Sequence, residues 1–349
     1  MARGVEDAGA AAVRLPVADG GDGTLDVLLA ASRTSARVTA HRVTDALGRP
    51  TTARLGWLDG ERVAVVEMAE AVGLRKLGPQ RDALGATSYG AGELILAAVA
   101  GGAREITVGV GGSASSDGGA GLLQAVGARL LDGGGRDVGR GGAALSGLES
   151  IDLASVPPAV RDCRIEVAAD VRAPLYGRDG AACVFAAQKG ASPVEVESLD
   201  RALRHLAAIA ERDLGAAGLA LRPGSGAAGG CGYALALLGA HIRDGAALVC
   251  DRVGLDAELD RATAVLTGEG RLDSQTASGK APAEVAARSR RRGLLCAAIA
   301  GAVTDPPAGM FDAVYSLTEL AGGADPRTTT RDLLRTAAAL AVRRFSGPA

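Results

Sequence analysis

Aromatic side chains are nearly absent from this chain: three Phe, one Trp and four Tyr among 349 residues. With so few rings to stack on bases, and a formal net charge of −2 instead of a basic field, a nucleic-acid partner is excluded. Apolar residues make up 48% of the chain, yet no run approaches the roughly 18 uninterrupted apolar residues of a membrane span, so no membrane partner is expected. The opening MARGVEDAGAAAVRL carries two acids among its arginines and no apolar core leading to a cleavage site. It does not read as a signal peptide, and the expected location is cytoplasmic. The five cysteines (Cys163, Cys183, Cys231, Cys250, Cys296) are odd in number and scattered singly, without the paired spacing of zinc or dithiol sites, so they are expected to be buried thiols. His41, His205 and His241 have no zinc spacing either. Lysine is scarce as well. Of 38 basic residues only Lys76, Lys189 and Lys280 are Lys, so a chain that uses Arg for generic cations keeps Lys where a compact ammonium is wanted, or simply as solvated surface charge.

Glycine, at 51 residues, is plentiful, and its placement organises the chain. Short β-branched runs end in Gly/Asp-rich loops and lead into Ala/Leu stretches, the pattern of an α/β protein with largely parallel sheets. Residues 12–31 read as strand, loop and helix. Alternating patches between residues 36 and 68 flank two turn sequences, LGRP (47–50) and LDGE (58–61). Residues 86–102 have helical periodicity closed by two glycines, and residues 104–131 again give strand, Gly-rich loop and helix. Strands are expected within 163–171, 263–273, 294–305 and 311–317, and a helix from Arg331 to Arg344. The stretches 133–142 and 224–232 are too rich in Gly for helix interiors and are expected as loops. At this length two domains are the natural expectation.

Three loops share one design, in which a buried strand delivers glycines and carboxylates to the carboxyl edge of a sheet, where open α/β folds bind ligands. In VADGGDGT, Asp19 and Asp22 flank Gly20 and Gly21, whose amides can approach an anion without a Cβ in the way; an acidic tight turn has the same composition. In GVGGSASSDGGAG, Gly111, Gly112 and Ser113 are expected to open the following helix, where free amides favour an anion, with Asp117 either a ligand contact or a helix cap. In LTGEGRLDSQTASGK, Glu269, Arg271, Asp273 and Lys280 place two acids and two bases within a short span, suited to Mg²⁺ and phosphate oxygens, or to pairing with one another. Phosphoryl transfer asks for these groups: an acid to align a hydroxyl, a metal, and cations or amides facing charged oxygens.

Rival motifs are weaker. GVGGSA (109–114), with Asp132 downstream, fits a loose dinucleotide fingerprint and an NAD-type oxidoreductase, but glycine at this frequency supplies on the order of a couple of such matches by chance. TASGKA (276–281) resembles the end of a P-loop, yet Ser274 stands where its first Gly belongs and Ala281 where Ser or Thr binds Mg²⁺. No nucleophile elbow is present.

Taken in order, LPVADGGDGT, GVGGSASSDGGAGLLQAVGA, AADVRAPLYG with AAQKGA, PGSGAAGGCG and LTGEGRLDSQTASGKAP resemble the type I glycerate kinase family, from about Leu15 to the final helix. The resemblance implies ATP-dependent, Mg²⁺-assisted phosphorylation of D-glycerate to phosphoglycerate, usually at the 2-hydroxyl, in an interdomain cleft. It also implies a Rossmann-like parallel-sheet domain formed by both chain ends (1–35 and 262–349) with an inserted α/β domain (36–261). Carried over by position, it points to Asp170, Asp273 and Lys280 as catalytic. Asp19, Gly20, Gly21, Asp22, Gly111, Gly112, Ser113, Asp117, Lys189, Glu269 and Arg271 would bind substrate or nucleotide.

There are departures. The family normally opens with a strand and loop resembling APDSFKGS, whereas this chain opens at MARGVEDAG. The expectation is a start codon placed too far downstream, or a degraded copy that binds glycerate or nucleotide without turnover. Loss of that strand would expose its neighbour's edge, and poor solubility is expected. Val171, Arg172 and Ala173 also stand where the family tends to have Asp and Asn types.

Overall fold

The computed structural model describes residues 1–32, 35–58, 62–274, 276, 279–323 and 325–347. The expected LDGE turn at 58–61 therefore lies, apart from Leu58, outside the described residues, as do positions 275, 277 and 278 of the third loop. The fold is α/β, with parallel strand pairs outnumbering antiparallel ones. The chain divides into two compact units, Ala18–Gly245 and the pair Met1–Val17 with Ala246–Ala349.

Among the described residues the unit from Ala18 to Gly245 has eight strands: β1 (Arg37–Thr44), β2 (Pro50–Leu58), β3 (Val63–Glu67), β4 (Glu105–Gly109), β5 (Arg129–Leu131), β6 (Ser150–Asp152), β7 (Arg164–Ala169) and β8 (His241–Asp244). Six form one sheet in the order β1-β2-β3-β4-β7-β8, while β5 and β6 pair as a small hairpin. The ladder is antiparallel from β1 to β3 and parallel from β3 to β8, so the carboxyl ends of β3, β4, β7 and β8 lie along one edge. Sequence explains the positions within the sheet. Central β3 (VAVVE) is buried at every residue, as parallel strands covered on both faces are, whereas edge strand β1 carries Arg37 and Arg42, charges that discourage pairing with another chain.

Helix Pro193–Leu214 shows how the covering layer is built. Ser192 and Glu195 make a reciprocal capping box, Pro193 starts the first turn, and Gly215 closes the helix in the left-handed region. Its buried residues Leu199, Leu203, Leu206 and Ala210 recur at helical spacing and face the core.

The second unit has three parallel strands among its described residues, β9 (Ala264–Leu272), β10 (Leu295–Val303) and β11 (Ala313–Ser316), in the order β11-β10-β9. Helix Ala281–Arg291 connects β9 to β10 as a β-α-β crossover. Helix Ala2–Asp7 lies on helix Thr330–Phe345 so closely that a Cβ on Gly4 would meet the Arg335 carbonyl, and Asp7 pairs with Arg335. No described helix is long and apolar enough to cross a membrane.

Three expectations need correction. Residues 12–19 form no strand: none of the described ladders includes them, Pro16 has no N–H to donate, and Val13 is 74% exposed. The stretch 224–232 is only partly loop. A helix spans Ala227–Leu237, but Ala228, Gly229 and Gly230 within it are left-handed, because the turn packs against Ser115 and Gly118 where a Cβ on either glycine would collide. Finally, Cys183 is exposed, while the other four cysteines are buried.

Candidate functional site

The parallel edge of the large sheet gathers the first two Gly/Asp loops. At the end of β4, Val110 donates its N–H to the Ala168 carbonyl of β7, and Gly111 donates to the Gly20 carbonyl at 3.1 Å. The loop 19–23 therefore lies backbone against backbone on the loop 110–113. A Cβ on Gly111 would sit 2.4 Å from Gly21 Cα, one on Gly112 would meet the Asp22 carboxylate, and one on Gly245, just past β8, would meet the Asp19 carbonyl. Asp170 follows the last residue of β7 and is exposed. The structure thus brings Asp19, Gly20, Gly21, Asp22, Gly111, Gly112, Ser113 and Asp170 to one edge.

Gly20 is the tightest point. Its φ is +94°, a region that L side chains avoid, and an added Cβ would lie 2.4 Å from the Ala168 carbonyl oxygen. Gly20→Ala is expected to cost about 2 to 3 kcal/mol, read as a lowered urea midpoint. An unchanged midpoint would mean that the loop does not seat against β7.

The carboxylates at this edge differ in environment. Asp19 accepts the Gly21 N–H, and Asp22 pairs at 3.2 Å with Arg75, an exposed contact of small energetic weight. Glu67, which the sequence reading missed, ends β3 and is buried. It accepts the N–H groups of Gly23 and Leu25, anchoring the start of helix Thr24–Ala31 and with it the loop. Burial pushes its carboxyl above the ordinary range against those hydrogen bonds, and the charges of Glu70 and Asp22 add to the rise. Its only signal in the sequence is an acid closing an apolar strand.

Gly111, Gly112 and Ser113 do not open a helix. The helix begins at Ala120, because residues 114–117 first cross a buried polar junction. There Asp117, fully buried, accepts the N–H and hydroxyl of Ser88, at 2.8 and 2.9 Å, and the N–H groups of Gly119 and Gly121. It therefore caps one helix and, through Ser88, fastens it to the start of helix Tyr89–Ala100. The dinucleotide fingerprint fails for the same reason, since its glycines lie remote from the helix N-terminus. Its acidic member Asp132 closes a hairpin turn on Gly134 and Arg136.

Lys189 lies beneath this loop. It is 3% exposed, and its Nζ donates to Ser113 Oγ at 3.3 Å and to the Ser115 carbonyl at 2.5 Å. No carboxylate of the described residues forms an ion pair with it. Burial lowers its pKa to about 8, opposed by electrostatic interaction with Cys231 and Asp117. The two direct hydrogen-bond acceptors of Lys189 are both neutral.

The second unit carries the third loop. Glu269 and Arg271 lie on β9, Asp273 follows its end, and Lys280 precedes helix Ala281–Arg291. Lys280 Nζ reaches Glu269 Oε2 at 3.4 Å and Asp273 Oδ1 at 4.0 Å, while Arg271 is exposed. Two further residues were not foreseen. Arg288, buried, binds Glu284, Asp251, Asp256 and the Ala247 carbonyl, and so docks the helix that Lys280 begins. Thr276 is fully buried among the acids of the loop. Among the described residues no group of three or more His, Cys, Asp or Glu could hold a metal by protein ligands alone. A Mg²⁺ ion delivered with a polyphosphate needs only one or two carboxylates, which these loops present.

Comparison with known proteins adds an independent line. The profile of the Glycerate kinase family matches residues 1–345. The glycerate 2-kinase of Escherichia coli strain K12 is 42% identical over 320 residues, covering 90% of this chain and 83% of its own length. The glycerate kinase of Bacillus subtilis strain 168 is 42% identical over 310 residues, covering 87% and 80%. A crystal structure from Salmonella typhimurium LT2, provisionally named glycerate kinase 2, superposes with a TM-score of 0.85 at 40% identity, covering 98% of this chain and 91% of that one.

Proposed function

Since the chain belongs to the glycerate kinase family and is therefore a kinase, we propose that it transfers the γ-phosphoryl group of ATP to a hydroxyl of D-glycerate, giving 2-phosphoglycerate. The observation that carries this reading is the convergence of the loops 19–23 and 110–113 with Asp170 on one parallel-strand edge, above a buried Lys189 that forms no ion pair among the described residues. In the reaction the glycerate hydroxyl oxygen bonds to phosphorus, the bond from phosphorus to the ADP oxygen breaks, and the hydroxyl proton passes to a carboxylate. Asp170 or Asp273 is suited to align that hydroxyl, as both follow directly on strand ends. Lys189 in one unit and Lys280 in the other are each suited to bind an anionic oxygen, and the loop amides add neutral donors that need no reorganisation. Mg²⁺, when bound, neutralises phosphate oxygens, and Asp273 or Asp170 would hold it together with the phosphates.

The test is ADP release coupled to NADH oxidation with ATP, Mg²⁺ and D-glycerate, followed by an enolase step that consumes only the 2-phosphate. Turnover above the glycerate-free rate, lost with EDTA and reduced by about two orders of magnitude or more in Asp170→Ala or Asp273→Ala, is expected. No glycerate-dependent ADP from a folded protein would overturn the reading, and full activity in either variant would remove that Asp from its role.

A further inference from the structure

The third loop holds its acids by a residue to which its motif gave no role, Thr276. Thr276 has one hydroxyl proton and gives it to Glu269 Oε1 at 2.6 Å, while its own Oγ1 accepts the Asp273 N–H at 3.2 Å. The Thr276 N–H returns to the Asp273 carbonyl at 3.0 Å, closing the turn. With Oε1 occupied, the carboxylate presents Oε2 to Lys280 Nζ at 3.4 Å, and Asp273 Oδ1 faces the same ammonium at 4.0 Å. The side chain is wholly excluded from solvent, so water cannot replace the hydroxyl. Short, fully satisfied bonds of a hydroxyl to a charged acceptor are strong enough to set one carboxylate rotamer.

We propose that Thr276 is a positioning residue for this kinase: its hydroxyl sets the Glu269 carboxylate and the Asp273 turn, and through them the direction of the Lys280 ammonium. The reaction assigned to that ammonium rests on the reading in the preceding section. The placement of Lys280 does not.

Thr276→Val keeps the shape and removes both hydrogen bonds, while Thr276→Ser keeps the hydroxyl. Valine is expected to lower kcat by roughly 10- to 100-fold with KM for ATP and glycerate changed less than about threefold, and serine to restore kcat to within about threefold. The chain's three lysines allow a second readout that needs no turnover, namely the acylation rate of each amine by a dilute activated ester, resolved by peptide mass spectrometry. In Thr276→Val, Lys280 is expected to react several-fold faster than in the unsubstituted protein, with Lys76 and Lys189 unchanged. If glycerate turnover is missing from the unsubstituted protein, the kinase assignment fails and the labelling still decides the role of Thr276. Equal Lys280 labelling and equal kcat in a folded valine variant would overturn the proposal. So would a serine variant as impaired as valine, which would point to methyl packing. Should valine not fold, serine with unperturbed labelling beside Thr276→Ala with fast labelling supports the proposal, and identical labelling in both overturns it.

Discussion

Lys189→Met is expected to lower turnover by about 100-fold or more, the scale of losing one preorganised donor at a charged transition state. Methionine fills the same buried space, so the loss reports the ammonium and not the packing. The pH dependence gives a sharper signature, because activity and stability should move in opposite directions. With the folded pKa at about 8, kcat/KM should fall as pH rises through that value and the ammonium loses its proton. Stability has the other sign. Unfolded lysine holds its proton up to 10.5, so between about 8 and 10.5 the native state binds fewer protons than the unfolded chain. The burial penalty is fully present below 8 and is relieved by up to about 3 kcal/mol as pH rises across that window. Urea midpoints of Lys189→Met should lack this rise. A variant with unreduced turnover, or an unsubstituted protein whose activity is flat from pH 7 to 10, would remove Lys189 from anion binding.

Asp117→Ala is expected to cost about 3 to 5 kcal/mol, because it strands three N–H groups and one hydroxyl in a place water does not reach. For a domain of this size that is a fall in melting temperature of roughly 10 °C. Asparagine should recover only part of the loss, since its NH₂ turns a donor toward donors. Urea unfolding of both variants measures it. An alanine variant of unchanged stability but lost glycerate binding would make Asp117 a ligand contact and not the cap that the junction describes.

Where pattern and packing agreed, the sequence was readable. The strands opening 104–131 and within 163–171, 263–273, 294–305 and 311–317 are observed, because each is an apolar run long enough to be buried and bounded by turn residues. Pattern misled where a partner decides the outcome. Residues 12–19 have strand composition, but a strand exists only when a neighbour accepts its hydrogen bonds. The helix expected directly after Gly111–Ser113 starts at Ala120, since the buried Asp117 carboxylate, hydrogen-bonded to Ser88 from far along the chain, sets its first turn. The roles of Arg288 and Thr276 were not legible in the motifs, because Arg288 has partners 32 and 37 residues away and the Thr276 hydroxyl acts through a turn whose geometry spacing alone does not show.

By itself, then, the sequence determined the α/β class, the order of the loops, the family resemblance that the comparisons bear out, and the residue types available for phosphate chemistry. These follow from periodicity and composition, which are local. Only the tertiary structure decided that the loops 19–23 and 110–113 share one edge, that Asp117 and Glu67 serve as buried anchors, and that Lys189 lies buried with no ion pair among the described residues. Desolvation and hydrogen-bond satisfaction depend on what surrounds a group in space, and that is set by contacts between residues far apart in the chain.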